Sequence, residues 1–169
     1  LLTLINATPD SICFKDEKGR WITANDSILK VFNIDNIDYF NKTDYELADY
    51  TLEIFKESFK NCAESDESAY KNRVASRSEE IIPDLKGNQK HFDVIKIPIF
   101  KPDESKKGLV VFGRDITDMK KAKDELNLML NRIEKQKNLI AEFSVSPLQT
   151  NGNLNEFSSL ITEKISKTF

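Results

Sequence analysis

Apolar positions along the 169-residue chain alternate in some stretches and recur at three and four in others, and the two periods mark out its elements. "LLTLINATPD" predicts a short helix closed by Pro9 and Asp10. "SICFKD" and "RWITAND" are β-rich runs joined by Asp16, Glu17, Lys18 and Gly19, and a glycine late in a short polar loop predicts a hairpin. "SILKVFNI" reads as a helix with Asp26 or Ser27 as its N-cap and with Leu29 and Phe32 three apart. "NKTDYELADY" is polar and turn-rich, with short helical potential. Over residues 51–61, Leu52, Phe55, Phe59 and Cys62 form an apolar stripe on one helical face. Residues 64–78 are polar and poorly periodic, and read as mostly loop or helix end.

β-Character returns with "EEIIP", the turn "DLKGNQ", and "KHFDVIKIPIF". The polar loop "KPDESKKG" then leads into "LVVFGRDIT". Two strands, several helices and three hairpin-linked strands predict an α+β fold, a five-stranded antiparallel sheet with helices on one face. Phe92 and Val94 are apolar, but so are Ile95, Ile97 and Ile99 of the other parity. A sheet with one wet face would alternate, so both faces are expected to be covered, the second by the N-terminal helix or a partner subunit.

Beyond Thr117 the period becomes helical. Met119, Ala122, Leu126, Met129, Ile133, Ile140 and Phe143 fit the a and d positions of a heptad, with Gln136 the exception. Residues 118–143 would make roughly 39 Å of helix at 1.5 Å per residue. Leu128, Leu130 and Leu139 widen the apolar face, and Arg132 and Lys137 would repel across a parallel pair. The helix is expected to form a homodimer with modest seam stability, with docking on the sheet or a four-helix arrangement as alternatives. Residues 144–169 read as a polar linker with Pro147 and Gly152, then an amphipathic helix carrying Phe157, Leu160, Ile161 and Ile165. The expected division is therefore an α+β domain at 1–117, a coiled-coil helix at 118–143, and the 144–169 segment.

Composition narrows the function. The 25 basic and 28 acidic residues give a net charge of -3, so neither nucleic acid nor anionic lipid is an expected partner. Cys13 and Cys62 lack a CxxC or Cys/His neighbourhood, which argues against zinc and for a reducing, cytoplasmic location. No apolar run approaches the ~20 residues of a membrane span. The chain begins at Leu1, without Met, and is expected to be a piece of a longer protein whose membrane anchor, if any, lies elsewhere.

In order, the segments from about residue 4 to residue 117 resemble the PAS sensory domain family. "DSICFKDEKGRWITAND" resembles its opening hairpin, and "NKTDYELAD" the short helical segment before its long helix. "KHFDVIKIPIF" and "GLVVFGRDITDMKKAKDEL" resemble its final hairpin, and "DIT" at 115–117 matches its junction motif. The resemblance implies a small-molecule or cofactor pocket between sheet and helices, and a signal passed to an output domain of the same polypeptide through the helix after the last strand. The implied parent is a bacterial-type sensor histidine kinase or cyclase. It also assigns Asp115 the role of tying strand end to helix start; Thr117 is expected to cap the helix by accepting from first-turn N–H groups.

The cofactor stays unknown. "NCAESD" shares two letters with the flavin motif but lacks its Arg and Gln, while the later flavin contacts fall at Ile82, Phe92 and Gly113. Flavin is therefore not expected. Haem is not expected either, because the long helix has no His and the chain's only one, His91, starts a strand. Pocket candidates are Leu29, Phe55 and Phe59 from the helices and Ile82, Phe92, Val94 and Val111 from the sheet, with Lys96 at the edge. Their apolar character suits a small apolar ligand or, equally, a packed core with none. Lone His91 without a nucleophile motif, and the absence of GxGxxG, GxxxxGK[ST] and HExxH, imply a non-catalytic segment. No His follows residue 91 to accept a phosphoryl group, so catalysis would lie beyond residue 169. Two alternatives stand beside the sensory reading: a ligand-free protein-interaction domain, or the regulatory part of an enzyme. The last helix also faintly resembles the start of a GAF domain.

Overall fold

The structure is a computed structural model that describes residues 2–145 together with Ser159, Thr162 and Glu163. Its elements are α1 (Leu2–Ile5), β1 (Ser11–Asp16), β2 (Trp21–Ala24), α2 (Asp26–Val31), α3 (Asp44–Ala48) and α4 (Glu53–Asn72). After these come β3 (Ser76–Pro83), β4 (Gln89–Phe100), β5 (Lys106–Asp115) and α5 (Thr117–Val145). The helix expected around Phe157, Leu160, Ile161 and Ile165, and with it the GAF resemblance, lies outside the described residues. The chain divides into two units, Leu1–Lys121 and Ala122–Phe169, with the boundary inside α5.

The first unit is the expected five-stranded antiparallel sheet, in the order β2-β1-β5-β4-β3. The opening hairpin joins the closing one through β1–β5, with Cys13 opposite Val111 and Lys15 opposite Leu109. Register across β4–β5 sets Lys96 opposite Val111 and Val94 opposite Gly113. One face therefore carries Ser11, Cys13, Lys15, Val94, Lys96, Leu109 and Val111, all buried. α2 lies against β1, α4 against β3 and β4, and α3 against α4. Ile12, Phe14, Ile95, Ile97, Val110 and Phe112 have the opposite parity and are half-buried or exposed, Ile97 being 44% exposed. The cover expected over that face is thus missing among the described residues of the single chain.

Asn25, fully buried, ties three parts of this unit together. Its Oδ1 accepts from the N–H of Ile12 and of Ile28, and its Nδ2 donates to the carbonyls of Ile5 and Asp10. All four hydrogen bonds of the amide are used. Asn25, rather than Asp26 or Ser27, is the N-cap of α2. The strand end turns the side chain back toward β1, and this tertiary geometry decides the cap. Thr43 and Glu46 form a capping box at the start of α3. The α2–α3 connection covers the free edge of β2, where Trp21 N–H donates to the Lys42 carbonyl and Asn41 N–H to that of Trp21.

α4 runs twenty residues, well past the apolar stripe that predicts it, and ends at Arg73 in the left-handed conformation, φ 57°. Its later buried positions are Asp66, Ala69 and Tyr70, which continue the helical spacing of Phe55, Ser58 and Phe59. An aspartate in the stripe made residues 64–72 look like a loop.

Replacing Asn25 with Ala leaves buried backbone groups without partners, each worth about 1–3 kcal/mol. Urea denaturation is expected to show a loss of about 2–4 kcal/mol, far more than for removal of an exposed cap.

Candidate functional site

Beneath α3 and α4 the sheet presents two buried ammonium groups. Lys15 shares the inward parity of Ser11 and Cys13 on β1, and Lys96 that of Phe92 and Val94 on β4. Lys15 is 2% exposed and Lys96 1%. Lys15 Nζ donates to Asp44 Oδ2 of α3 at 2.5 Å and to Asp66 Oδ2 of α4 at 2.6 Å. Lys96 Nζ donates to Asp66 Oδ1 at 2.7 Å, to Ser65 Oγ and to the Cys62 carbonyl, and Glu80 Oε1 of β3 lies 3.2 Å away. Trp21 Nε1 donates to Asp44 Oδ1 at 2.8 Å. Its ring lies 5.4 Å from the Lys15 ammonium and packs with Phe32, Tyr39 and Phe59. Asp66 thus bridges both lysines, and Asp44, Asp66 and Glu80 surround the two ammoniums inside the fold.

Burial works against charge on Lys15, but Asp44 and Asp66 outweigh it and hold its pKa well above the ordinary lysine value. Burial likewise opposes Lys96, and Asp66, Cys62 and Glu80 raise it. For Asp66 burial pushes upward, yet Lys15 and Lys96 carry it below the usual carboxylate range. Burial pushes Asp44 up, with Asp66 adding to the effect, against the pull of Lys15. Burial also raises the Cys13 thiol to about 12 and the Cys62 thiol well above its usual value, so both are inert thiols at neutral pH. Among the described residues no group of His, Cys, Asp and Glu is arranged to hold a metal ion.

The sequence-derived pocket candidates separate into different environments. Ile82, Phe92, Val94 and Val111 line one apolar cleft with Ile28, Phe32 and Cys62, whose volume is about 30 Å³, the share of a single water. Phe55, Ile82 and Phe92 also line a groove of about 460 Å³ that reaches Lys90 and Asp115. Leu29 and Phe59 are buried in the core. Lys96, expected at a pocket edge, is instead in the centre. A third cleft, of about 360 Å³, lies between the β1–β2 turn, α3 and α4, with Lys15, Asp44, Asp66, Tyr70 and Leu109 in its lining. Sequence reasoning missed Lys15, Asp44 and Asp66. The available signal was parity: a lysine two positions from Cys13, and another two from Val94, on strands already assigned an inward face.

At the far end of β5, Asp115 and Thr117 form the junction with α5. Asp115 Oδ1 accepts from the N–H and the hydroxyl of Thr117. The Thr117 oxygen accepts in turn from His91 N–H at 2.9 Å, and Ile116 N–H donates to the His91 carbonyl at 2.8 Å. Asp115, not Thr117, therefore satisfies a first-turn N–H, while the threonine fastens the helix start to β4. Lys90 Nζ lies 3.0 Å from Asp115 Oδ2, and Glu79 receives both His91 Nδ1, at 2.6 Å, and Lys120. Burial raises the Asp115 carboxyl, but the Thr117 hydrogen bonds and Lys90 outweigh it and leave its pKa lowered. Met119, Leu126, Met129, Ile133 and Ile140, the expected dimer positions, are all exposed in the single chain.

A sheet cupped by short helices and one long helix, followed by a helix fastened to its last strand, is the architecture of a sensory domain. The family model described as "PAS fold" matches residues 5–121, and the chain belongs to that family. Similar solved structures include a phage VqmA–DPO complex, at 22% identity and TM-score 0.59, covering 76% of this chain and 56% of that one. Another is a Vibrio cholera VqmA–ligand–DNA complex, at 19% identity and TM-score 0.57, covering 69% and 50%. The PAS domain of Bordetella pertussis BvgS matches at 21% identity and TM-score 0.56, covering 80% and 94%. The chain thus spans about half the length of the VqmA chains. Among curated proteins, none matches the sequence. The expected absence of a nucleic-acid partner finds no support in a set of similar structures that includes a DNA complex.

Asp66→Ala removes the carboxylate that two buried ammoniums share, leaving Lys15 only Asp44 and Lys96 only Glu80, and chemical denaturation is expected to show a loss of about 3–5 kcal/mol. Replacing Lys15, Lys96, Asp44 and Asp66 together by apolar residues of similar volume is expected to cost far less. Stability should also depend on pH at both extremes. Asp66, lowered on folding, contributes above its unfolded value of 3.8, and the contribution is lost as pH falls through the folded value. Lys15, raised, contributes fully below 10.5 and loses its contribution as pH rises through its folded value. Asp44 is raised and acts in the opposite sense to Asp66, so the acid limb is read from the difference between the parent curve and that of Asp66→Asn.

Proposed function

We propose that this segment is the non-catalytic sensory and dimerisation module of a cytoplasmic signalling protein, and that α5 carries its state to an output domain of the same polypeptide. The observation that carries this reading is the junction. Asp115, Thr117 and His91 bond the start of α5 to two strands at once, so displacement of β4 or β5 is transmitted to the helix. The implied parent is a sensor histidine kinase or cyclase. Among the described residues no helix is long and apolar enough to cross a membrane.

Homodimerisation is proposed through α5. Met119, Leu126, Met129, Ile133 and Ile140 lie on one face at 100° per residue and are each more than half exposed in the single chain. A second reading, an interaction domain without a ligand, is favoured by one observation: the cleft lined by Ile82, Phe92, Val94 and Val111 has a volume of only about 30 Å³. In both readings the outer sheet row of Ile95, Ile97, Val110 and Phe112 is available to a partner.

Sedimentation equilibrium is expected to give a dimer at micromolar concentration. Leu126→Glu together with Ile133→Glu should weaken it more than tenfold, each lost apolar burial being worth about 1.5–3 kcal/mol. A monomeric parent with an intact helix would count against the dimer. In the full-length protein, Asp115→Ala is expected to abolish stimulus-dependent output while lowering stability by only about 1 kcal/mol. Unchanged output from a folded variant would remove the coupling role.

A further inference from the structure

The cleft between the β1–β2 turn, α3 and α4 has a chemical character that the apolar candidates lack. Its volume of about 360 Å³ is that of a small-molecule site. Five carboxylates, those of Glu17, Asp44, Glu64, Asp66 and Glu67, line it. Lys15 and Lys96 engage Asp44 and Asp66, and Lys106 engages Glu67, which leaves Glu17 and Glu64 facing the ammonium of Lys18. Tyr70 in the same lining is 7% exposed, and its hydroxyl is buried without a hydrogen-bond partner. Among the described residues it is the one buried side-chain polar atom without a partner, and such an orphaned hydroxyl points to a group supplied from outside. We propose that this cleft binds a small organic amine as its ammonium ion, held by Glu17, Glu64 and the Tyr70 hydroxyl. The inference rests on the sensory reading above and names the ligand class for it.

The chain itself shows how this rim treats such a group. Lys106 Nζ sits 4.2 Å from the centre of the Tyr70 ring and 2.9 Å from Glu67 Oε1. An aromatic face and a carboxylate beside it thus already hold a primary ammonium. Deeper in, each oxygen of Asp44 and Asp66 accepts one bond from the chain and keeps a lone pair. An anion would meet the surplus negative charge instead. A metal ion is a poor fit, since no metal-holding group exists among the described residues and the space is that of an organic molecule.

The test is a thermal-shift and calorimetric titration at constant ionic strength with putrescine and tyramine, against succinate and 4-hydroxyphenylacetate as anions of matched size. Saturable stabilisation by at least one amine and none by either anion is expected. Tyr70→Phe should bind that amine about fivefold more weakly, the loss of one hydrogen bond, and keep or raise the stability of the free protein. Glu64→Gln should weaken binding as well. No saturable amine binding, equal binding of the anions, or parent-like affinity in both variants would overturn the proposal. If the dimer and the Asp115-dependent output persist in that event, the ligand class fails and the sensory reading stands; if they fail while amines bind, the reverse holds.

Discussion

Two lysines cannot be buried under helices unless those helices bring carboxylates to them, and much of the first unit follows from that requirement. Desolvating an ammonium costs several kcal/mol even after relaxation. Lys15 on β1 and Lys96 on β4 therefore fix where α3 and α4 can sit: Asp44 and Asp66 must arrive within hydrogen-bonding distance at once. Asp66 accepts from both lysines, so a rotation or slide of α4 by one residue would break two ion pairs together. Apolar packing tolerates small repacking, whereas this arrangement does not. An apolar core of the same volume could be at least as stable, so what the network adds is a fixed register for the helices.

The same network divides the interior. Toward the β1–β2 turn the lining is charged, with an orphaned tyrosine hydroxyl; beneath α2 it is mostly apolar and nearly filled. α4 spans both regions, roughly 30 Å of continuous helix over twenty residues. Phe55 near one end borders the groove that reaches Asp115, and Tyr70 near the other borders the charged cleft. β4 has a similar reach, holding Lys96 in the network and His91 against Thr117. β4 thus bonds the buried network to the start of α5, while α4 borders both the polar cleft and the groove that reaches Asp115.

Much of this was legible from the residues alone, and the errors share one cause. The strands were readable because β-branched residues alternate and Gly19 and Gly87 punctuate the turns, both at positive φ. The junction was readable because a strand passes into a charged helical period at "DIT". The second half of α4 was not, because its buried stripe contains Ser58 and Asp66, which a hydrophobicity pattern counts as solvent-facing. Lys15 escaped for the same reason, and Lys96 was placed only at a pocket edge, since lysine is almost never fully buried unless paired, and the pairing partners lie 29 and 30 residues away. Strand parity places both lysines inward, but only the tertiary fold shows what meets them. Asn25, which lies inside the β-rich run "RWITAND", proved to be the cap in place of Asp26 or Ser27, and two of its four bonds reach residues before β1.

The distribution of apolar residues carries the argument one step further. Among its described residues this chain buries the charged side chains of Asp10, Lys15, Asp44, Asp66 and Lys96, yet it leaves Ile97 on the outer sheet exposed and Met119, Leu126, Met129, Leu130, Ile133 and Ile140 on α5 mostly so. Single exposed apolar side chains are ordinary, but a helix-long row at heptad spacing is not. On a helical wheel Leu130 falls within 60° of Met119, Leu126 and Ile133, whereas Leu128 falls on the opposite side. A two-stranded seam would cover the first group and leave Leu128 in water. The surplus width, with Arg132 and Lys137 beside it, makes a seam of limited depth, weaker than a strict heptad of the same length. A weak seam joined to a rigidly registered core is the combination in which a small change at the strand–helix junction can alter how two helices meet.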